Sequence, residues 1–305
     1  LPSPMIYHWK NGGNITDGKG IKRNMVSSHL IGVFFAIASA VMWGTSDFSG
    51  GIATRRNSQF QVLTLVNLTG VVVLVVFAIA RNEPVVRLTG VAWSLAAGIS
   101  GSLGLAVLYR SLSLHNAAII APTAAVIGSA LPVVFSFIAV GLPDSSKISG
   151  IIFAIIGIWL ASQSVEVSRK VSQQGLLLAL LAGIGLGGFF ILIAQVEQGA
   201  VFMPLVIAKS AGLAVALLML LSRRDSFPSL GSSPIALFAG ILDASANIFF
   251  LFALQFTRLD IASVLSSMYA LATVILASIL LKEAISNTQW VGIILCMIAI
   301  GLIVL

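Results

Sequence analysis

The segments GVFFAIASAVMWG (residues 32–44) and GLLLALLAGIGLG (residues 175–187) decide the fold of this chain. Each places glycine or alanine at every fourth position over four successive helical turns. Small side chains at this spacing lie on one helix face and allow close helix–helix contact within lipid. The two ladders therefore predict closely packed membrane helices, in contact either with another part of this chain or with a second copy in a homodimer.

The order of matching segments predicts an internal duplication. The second ladder follows the first at an offset of about 143 residues, and two further pairs of segments match at nearly the same offset. These pairs are Phe60 and Gly70 with Phe202 and Gly212, and residues 150–152 with residues 292–294, which both read Gly-Ile-Ile. One match would be chance among so many small residues, but three in order predict two copies of one unit.

The composition places most of the chain in lipid. Of its 305 residues, 58% are hydrophobic and only 9% are charged, and the mean hydropathy is +1.06. A soluble domain carries about a quarter charged residues, so these charges are too few to cover a water-facing surface. The net charge of +7 comes from basic residues at the ends of apolar runs. This placement is typical of anchors beside lipid headgroups, and we expect no nucleic-acid partner.

Ten apolar runs approach the length that crosses a bilayer, about 20 residues. They cover residues 30–50, 59–80, 88–110, 116–141, 148–164, 174–195, 200–222, 234–256, 260–281 and 287–305. Five runs per copy is an odd number, so the second copy enters the membrane from the opposite face. The prediction is an all-α integral membrane protein with ten transmembrane helices in two inverted five-helix repeats. Inverted repeats are typical of alternating-access transporters.

The predicted domain boundaries are a polar N-terminal tail at residues 1–28, a first repeat at 29–165 and a second repeat at 173–305. The tail lacks the apolar segment of a signal peptide. Residues 1–24 are interpreted either as an upstream extension or as residues added before a natural start at Met25. Basic residues divide evenly between the two sides of the membrane, so charge bias leaves the orientation undecided.

Lys209 and Asp243 are ionisable residues near the middle of the seventh and eighth runs. Ionisable groups within a membrane are costly and are functional candidates by default. Because the two runs are consecutive and antiparallel, these side chains can neutralise each other. They form either a substrate or proton-coupling site or a permanent ion pair between helices. Asn247 lies one turn after Asp243 and is expected on the same face.

Asp47 and Trp43 lie towards the end of the first run. Asp47 is interpreted either as a substrate-binding or coupling carboxylate or as an interfacial charge in water. Trp43 is either an aromatic face for a ligand or an ordinary packing residue. In the fourth run, Pro122 and Pro132 are expected to kink the helix, either beside a cavity or for packing alone.

Other classes of function leave weaker signals. A channel or a receptor-like binding protein without coupled transport is the alternative, although polar residues are few and concentrated near mid-membrane. Gly98-Ile99-Ser100-Gly101 matches the GxSG of intramembrane serine proteases, but no histidine lies at similar depth to activate Ser100. With neither a metal-ligating cluster nor a phosphate-binding loop, we expect no enzyme activity, metal or cofactor.

The segment Trp43-Gly44-Thr45-Ser46-Asp47-Phe48 resembles a pattern of the drug/metabolite transporter superfamily, in its EamA-type branch. Two later stretches are also similar to the family: Ala121-Pro122 through Leu131-Pro132, and Ser267-Met268-Tyr269-Ala270 through Leu280-Leu281-Lys282-Glu283, followed by Gly292. The resemblance covers about residues 30–305. The sequence departs from the family at Ala270, where proline is frequent, and at Pro143-Asp144, where Gly-Glu is usual.

The resemblance implies a multi-pass protein of the cell membrane with both termini cytoplasmic. It also implies a central cavity lined by the first, third, fourth, sixth, eighth and ninth helices, and secondary transport of small organic metabolites, amino acids or drugs, often as export. The cavity candidates that it supports are Trp43, Asp47, Asp243, Asn247 and Tyr269. Lys209 lies on a helix that the family places at the periphery, which favours a structural role for its pair with Asp243.

Overall fold

The computed structural model describes the backbone of residues 20–114, 117–163, 173–229, 231, 233–282 and 284–304. It describes the side chains of these residues except 20–27, 109–114 and 117–122. The described part forms eleven helices. They are α1 (Gly20–Ala53), α2 (Gln59–Ala80), α3 (Leu88–Leu114), α4 (Ala117–Val140), α5 (Ser145–Ala161), α6 (Gln173–Ile193), α7 (Phe202–Arg223), α8 (Pro234–Phe256), α9 (Leu259–Ser266), α10 (Tyr269–Leu281) and α11 (Asn287–Val304).

The apolar runs predicted as membrane helices form helices at the expected places. Within the described residues, nine spans are long and apolar enough to cross a membrane, with α9 and α10 together counting as one span. The helix α5 has 17 residues and is apolar but shorter. The all-helical, multi-pass prediction is therefore confirmed, and nine spans plus one shorter apolar helix stand where ten were expected.

The first helix is antiparallel to α8 and packs closely on it. Ser39 Oγ donates to the carbonyl of Ala246 at 2.9 Å, and Ser46 Oγ donates to the carbonyl of Ala239, also at 2.9 Å. Both serines are buried. Hydroxyl groups that bond across helices satisfy polar atoms within an apolar environment. These two bonds fix the depth of α1 against α8.

Both small-residue ladders serve contacts inside the chain. A Cβ atom added at Gly44 would collide with Ala272 and with the backbone of α10, and one added at Gly187 would collide with Leu131 of α4. The glycine of each ladder therefore lets its helix lie directly against a helix of the other half. A homodimer stays a prediction.

When a helix of one half packs on helices of the other half, its equivalent in that other half packs on the corresponding helices of the first half. The helix α1 packs on α8, α9 and α10, while its counterpart α6 packs on α3 and α4. In the same way α2 packs on α8, and its counterpart α7 packs on α3. The pairs α2–α7 and α5–α11 each join two equivalent helices. Each half therefore supplies the packing partners of the other half.

Gly98 and Gly240 show this exchange at atomic detail. An added Cβ at Gly98 of α3 would collide with the backbone of Ala208 in α7. At Gly240 of α8 it would lie 2.8 Å from the carbonyl oxygen of Val66 in α2. Real Cβ atoms do not approach backbone atoms this closely, so each helix crossing requires glycine.

The ends of α2 and α7 are tied together by acidic residues. Glu83, in the loop after α2, accepts hydrogen bonds from the backbone N–H groups of Val201 and Phe202, at 2.6 and 2.7 Å. These are free donors at the start of α7. At the opposite end Asp225, in the loop after α7, accepts a 2.7 Å bond from Ser58, which caps α2. The two helices are therefore antiparallel and linked at both ends.

The ninth predicted run is broken into two helices. The helix α9 ends at Ser266 and α10 begins at Tyr269. At the break, Met268 N–H donates to the carbonyl of Leu265, three residues back, at 3.2 Å. This short-range bond tightens the turn and ends the α-helical ladder. The break occurs without proline, whereas α4 stays helical across Pro122 and Pro132.

Candidate functional site

Asp243 is the centre of a polar cluster between α1, α7 and α8. Its carboxylate forms an ion pair with the ammonium group of Lys209. Trp43 Nε1 donates to Asp243 Oδ1 at 3.2 Å. Asn247 Nδ2 lies 2.6 Å from the backbone carbonyl of Asp243 and 3.4 Å from its Oδ1. Four of the predicted site residues therefore form one connected network.

Lys209 reaches Asp243 by crossing Gly70 of α2. The helices α7 and α8 have little direct contact, and α2 packs against both of them. The Cδ of Lys209 lies 3.6 Å from the place that a Cβ of Gly70 would occupy. A larger side chain there would crowd the lysine stem. The sequence predicts the ion pair from depth alone, but it gives no sign that Gly70 makes room for it.

Asp47 lies on α1, one turn after Trp43. It interacts electrostatically with Asp243, Lys209 and Tyr269, so it belongs to the same cluster. Its side chain is exposed, while those of Lys209 and Asp243 are only 17% and 15% exposed. No described residue gives Asp47 a hydrogen bond or an ion pair. It is therefore an accessible carboxylate beside a neutralised pair.

Tyr269 stands at the first position of α10, directly after the helix break, and is partly buried. Thr273, one turn later, donates its hydroxyl to the carbonyl of Gly44, with a distance of 3.1 Å. This bond joins the start of α10 to the turn of α1 that carries Trp43 and Asp47. The break and this contact together place Tyr269 near Asp47.

Aromatic rings surround Trp43. Its ring centroid lies 5.6 Å from that of Phe190 in α6 and 5.9 Å from that of Phe250 in α8, and the two phenylalanines are 4.8 Å apart. Such separations are typical of favourable aromatic pairs. The sequence analysis did not select either phenylalanine, because a phenylalanine in an apolar run carries no signal that separates a site wall from lipid-facing surface.

The two prolines lie away from this network. Pro132 is buried in α4, which packs on α6, α9, α5 and α3. The backbone at Pro122 is helical, and its side chain is outside the described residues. No contact of either proline with the cluster is found in the part of the chain that the structure describes, and their kinks stay a prediction.

Sequence reasoning missed a second buried ion pair. Asp260 in the first turn of α9 is fully buried and pairs with Arg258 at 2.8 Å. Arg258 also donates to the carbonyl of Gly141, after α4, at 2.5 Å. These groups are satisfied by each other and by backbone, so they tie the α8–α9 turn to the end of α4. The only sequence signal was an acidic residue within an otherwise apolar segment.

The serine of the protease-like motif has a structural contact. Ser100 Oγ donates to the carbonyl of Gly185, at 2.9 Å, between α3 and α6. His29 instead lies beside Thr257 and donates from Nε2 to the carbonyl of Ile303, at 3.0 Å. Among the described residues, no group of three or more His, Cys, Asp or Glu side chains is arranged to hold a metal ion.

The comparisons with known proteins agree with this architecture. The sequence matches the EamA-like transporter family twice, over residues 30–163 and 173–305. A search among curated proteins gives no match. A solved structure described only as the crystal structure of a protein is 20% identical, covers 90% of this chain and 96% of its own, and has a TM-score of 0.71. At this identity the likeness shows the fold alone.

A bundle of helices that are long and apolar enough to cross a membrane defines the class of multi-pass membrane proteins. The two family matches together cover most of the chain. The chain belongs to the EamA-like transporter family, which is part of the drug/metabolite transporter superfamily. It is therefore a multi-pass protein of the cell membrane and a member of a family of transporters, not of enzymes.

Proposed function

We propose that this protein is a secondary transporter that moves small organic metabolites by alternating access, with the cluster around Asp243 as its substrate site. The observation that carries the proposal is the meeting of Trp43, Asp47, Lys209 and Asp243 from three helices inside an apolar bundle. Charged groups are expensive within a membrane and are kept where they line a substrate or ion pathway.

The proposed architecture has ten crossings, with α5 as the additional one. A 17-residue helix is about 26 Å long, close to the thickness of the hydrocarbon core. One end of α5, at Gly150, packs on Ile303 of α11, and the other end, at Ala161, packs on Gly292. Because α5 runs beside the membrane-spanning α11 along its whole length, it supports a tenth crossing.

The exchange of contacts between the halves supports an inverted repeat. The equivalent helices α2 and α7 are antiparallel, as are α5 and α11, which a two-fold axis in the membrane plane would produce. In such transporters, one half rocks against the other around a site near the midplane. Two equally favourable arrangements of one scaffold provide the inward-facing and outward-facing states. We propose that both termini are cytoplasmic and that transport is export.

A proton is the coupling ion that we propose, because carboxylates are the groups in the cluster that can exchange one. Asp47 is accessible and unpaired among the described residues, and Asp243 is its electrostatic neighbour. A proton and a substrate that both bind at Asp47 would compete, and this competition would link their movements.

The first test is a thermal-stability screen of the purified protein in detergent, at two pH values, against amino acids, nucleobases, sugars and cationic drugs. A ligand at one hundred times its Kd stabilises by about 2.7 kcal/mol, which gives a clear shift in melting temperature. Each hit is then tested for uptake into proteoliposomes, with and without a proton gradient.

Variants of the cluster test proton coupling separately from transport itself. Asp243→Asn and Asp47→Asn should abolish gradient-driven uptake, while Asp144→Asn, at an exposed carboxylate beside Lys147, should have no effect. Uptake that ignores the proton gradient and survives Asp243→Asn would overturn the coupling and leave facilitated exchange. Single-channel conductance in a planar bilayer would overturn alternating access itself.

A further inference from the structure

The only cation of the cluster is already engaged. The ammonium group of Lys209 pairs with Asp243, and the stem of Lys209 lies on Gly70. Trp43 and Asn247 hold the other oxygen of the same carboxylate. An incoming carboxylate or phosphate would have to share the ammonium group of Lys209 with Asp243, beside the negative charge of that carboxylate. Within the described residues, the site therefore offers no free positive charge to an anionic substrate.

The charge that remains is negative. With the Lys209–Asp243 pair neutral as a unit, Asp47 in its ionised form leaves one negative charge on the cluster. Asp47 is also the accessible member, since its side chain is exposed and has no hydrogen-bonding or ion-pair partner in the described part of the chain. Opposite charges close together near a protein surface attract each other, so a positive group beside Asp47 would be favoured.

The walls beside Asp47 suit an organic cation. Trp43 is partly exposed, lies one turn from Asp47, and contacts the rings of Phe190 and Phe250. Tyr269 lies on the opposite helix and interacts with Asp47. Aromatic faces attract quaternary and alkyl ammonium groups through the ring quadrupole, most strongly for tryptophan. A hydrated metal ion would gain nothing from these rings.

We infer that the substrate of this site is an organic ammonium ion with one positive charge and no carboxylate. Its charged group lies against Asp47, and its apolar part lies against Trp43. A zwitterion binds less well, because its carboxylate meets Asp47 or Asp243 and finds Lys209 occupied. The inference rests on the proposed transport function and adds the charge of the substrate to it.

The test uses three solutes of nearly the same shape that differ in charge. Choline is a fixed cation, glycine betaine is a zwitterion, and neohexanol is the neutral carbon isostere of choline. Melting temperature is measured against the concentration of each solute, and uptake of labelled choline and betaine is measured in proteoliposomes. We expect choline to bind about tenfold or more tighter than the other two and to be the solute that is transported.

Variants of Asp47 test whether this residue causes the preference for choline over betaine and neohexanol. Asp47→Asn should remove the binding of choline, Asp47→Glu should retain part of it, and Asp144→Asn should leave it unchanged. If betaine or neohexanol binds as well as choline, or if Asp47→Asn still prefers choline, the inference is wrong. If choline and the cationic drugs fail while an amino acid, nucleobase or sugar of the wider screen is transported, the inference fails and transport stands. If no solute in either panel binds or moves, both proposals fail.

Discussion

Residues 67 and 209 hold equivalent places in the two halves of the molecule, and one is asparagine while the other is lysine. Asn67 is buried in α2 and lies against Gly212 of α7. Lys209 lies in α7, against Gly70 of α2. The glycines are the same on both sides, so the helices cross in the same way. Among the described residues, the side chain of Asn67 bonds to the carbonyl of Leu63 in its own helix, whereas Lys209 crosses to Asp243.

The place equivalent to Asp243 is Gly101, which faces the ring of Phe189. The charged pair of the second half thus has asparagine and glycine as its counterparts in the first half. The repeated residues are therefore those that give helices room to approach, and the Lys209–Asp243 pair has no charged counterpart in the first half. A pair in each half would double the desolvation cost without adding an accessible carboxylate.

The largest expected effect comes from removing one member of the pair. Lys209→Met leaves the mostly buried carboxylate of Asp243 without its cation, which costs about 3–5 kcal/mol and should lower the melting temperature markedly. The double variant Lys209→Asn, Asp243→Gly gives the second half the residues of the first half. We expect it to be more stable than Lys209→Met and inactive in transport. A double variant that still transports substrate would remove the pair from the site.

The glycines at the two equivalent helix crossings, Gly98 and Gly240, should contribute equally to stability. Gly98→Ala and Gly240→Ala each place a Cβ against backbone and should destabilise by about 1–3 kcal/mol, measured by thermal unfolding in detergent. The matched control is Gly51→Ala, because a Cβ at Gly51 of α1 meets nothing within 4 Å. A large loss at one crossing and none at the other would contradict the equivalence of the two halves.

The two acidic links at the ends of α2 and α7 should differ in strength. Glu83 accepts two backbone N–H bonds at the start of α7, while Asp225 accepts a single bond from Ser58. We expect Glu83→Gln to cost about 1–2 kcal/mol and Asp225→Asn about half as much. Hydrogen exchange in the first turn of α7 and of α2 would compare them directly. Equal protection lost at both ends would contradict this order.

The smallest effect is expected at Asp144, before α5. Its carboxylate lies 3.3 Å from Lys147 and is 81% exposed. Exposed pairs contribute little because water and salt screen them. Asp144→Asn should therefore leave both the melting temperature and transport unchanged, and a strong defect in either one would show that this end of α5 belongs to the moving parts.

Much of the fold could be predicted because its causes are local. Hydropathy depends only on residue type and run length, and the ladder of Gly32 and Gly44 records contact spacing in one segment. The pairing of Lys209 with Asp243 could be predicted because both stand at mid-span on consecutive helices. These signals need no knowledge of which helix lies beside which.

The remainder depends on packing between distant segments. Gly70 leaves room for the stem of Lys209 because α2 packs against both α7 and α8. This packing cannot be predicted from the sequence of any single apolar run. Phe250 contacts Trp43 because α8 packs on α1, and Phe190 reaches Trp43 from α6. The break before Tyr269 lies at Ser267 and Met268 and has no proline beside it, so no strong breaker marked it. The predicted roles of Asp47 and Asp243 in proton coupling depend on the change between inward-facing and outward-facing states. They stay predictions, because a single structure describes one state.

The exchange of contacts between the halves has a bearing on how such a chain could arise. A half-length ancestor with the glycines of α2 and α3 would find, in an oppositely oriented copy of itself, the same surfaces that α7 and α8 now provide. Such a pair of identical chains must carry every charge twice. After gene fusion the two copies diverge separately, and one lysine and one aspartate can then be acquired on a single side. The asymmetry at residues 67 and 209 is what such separate divergence would produce.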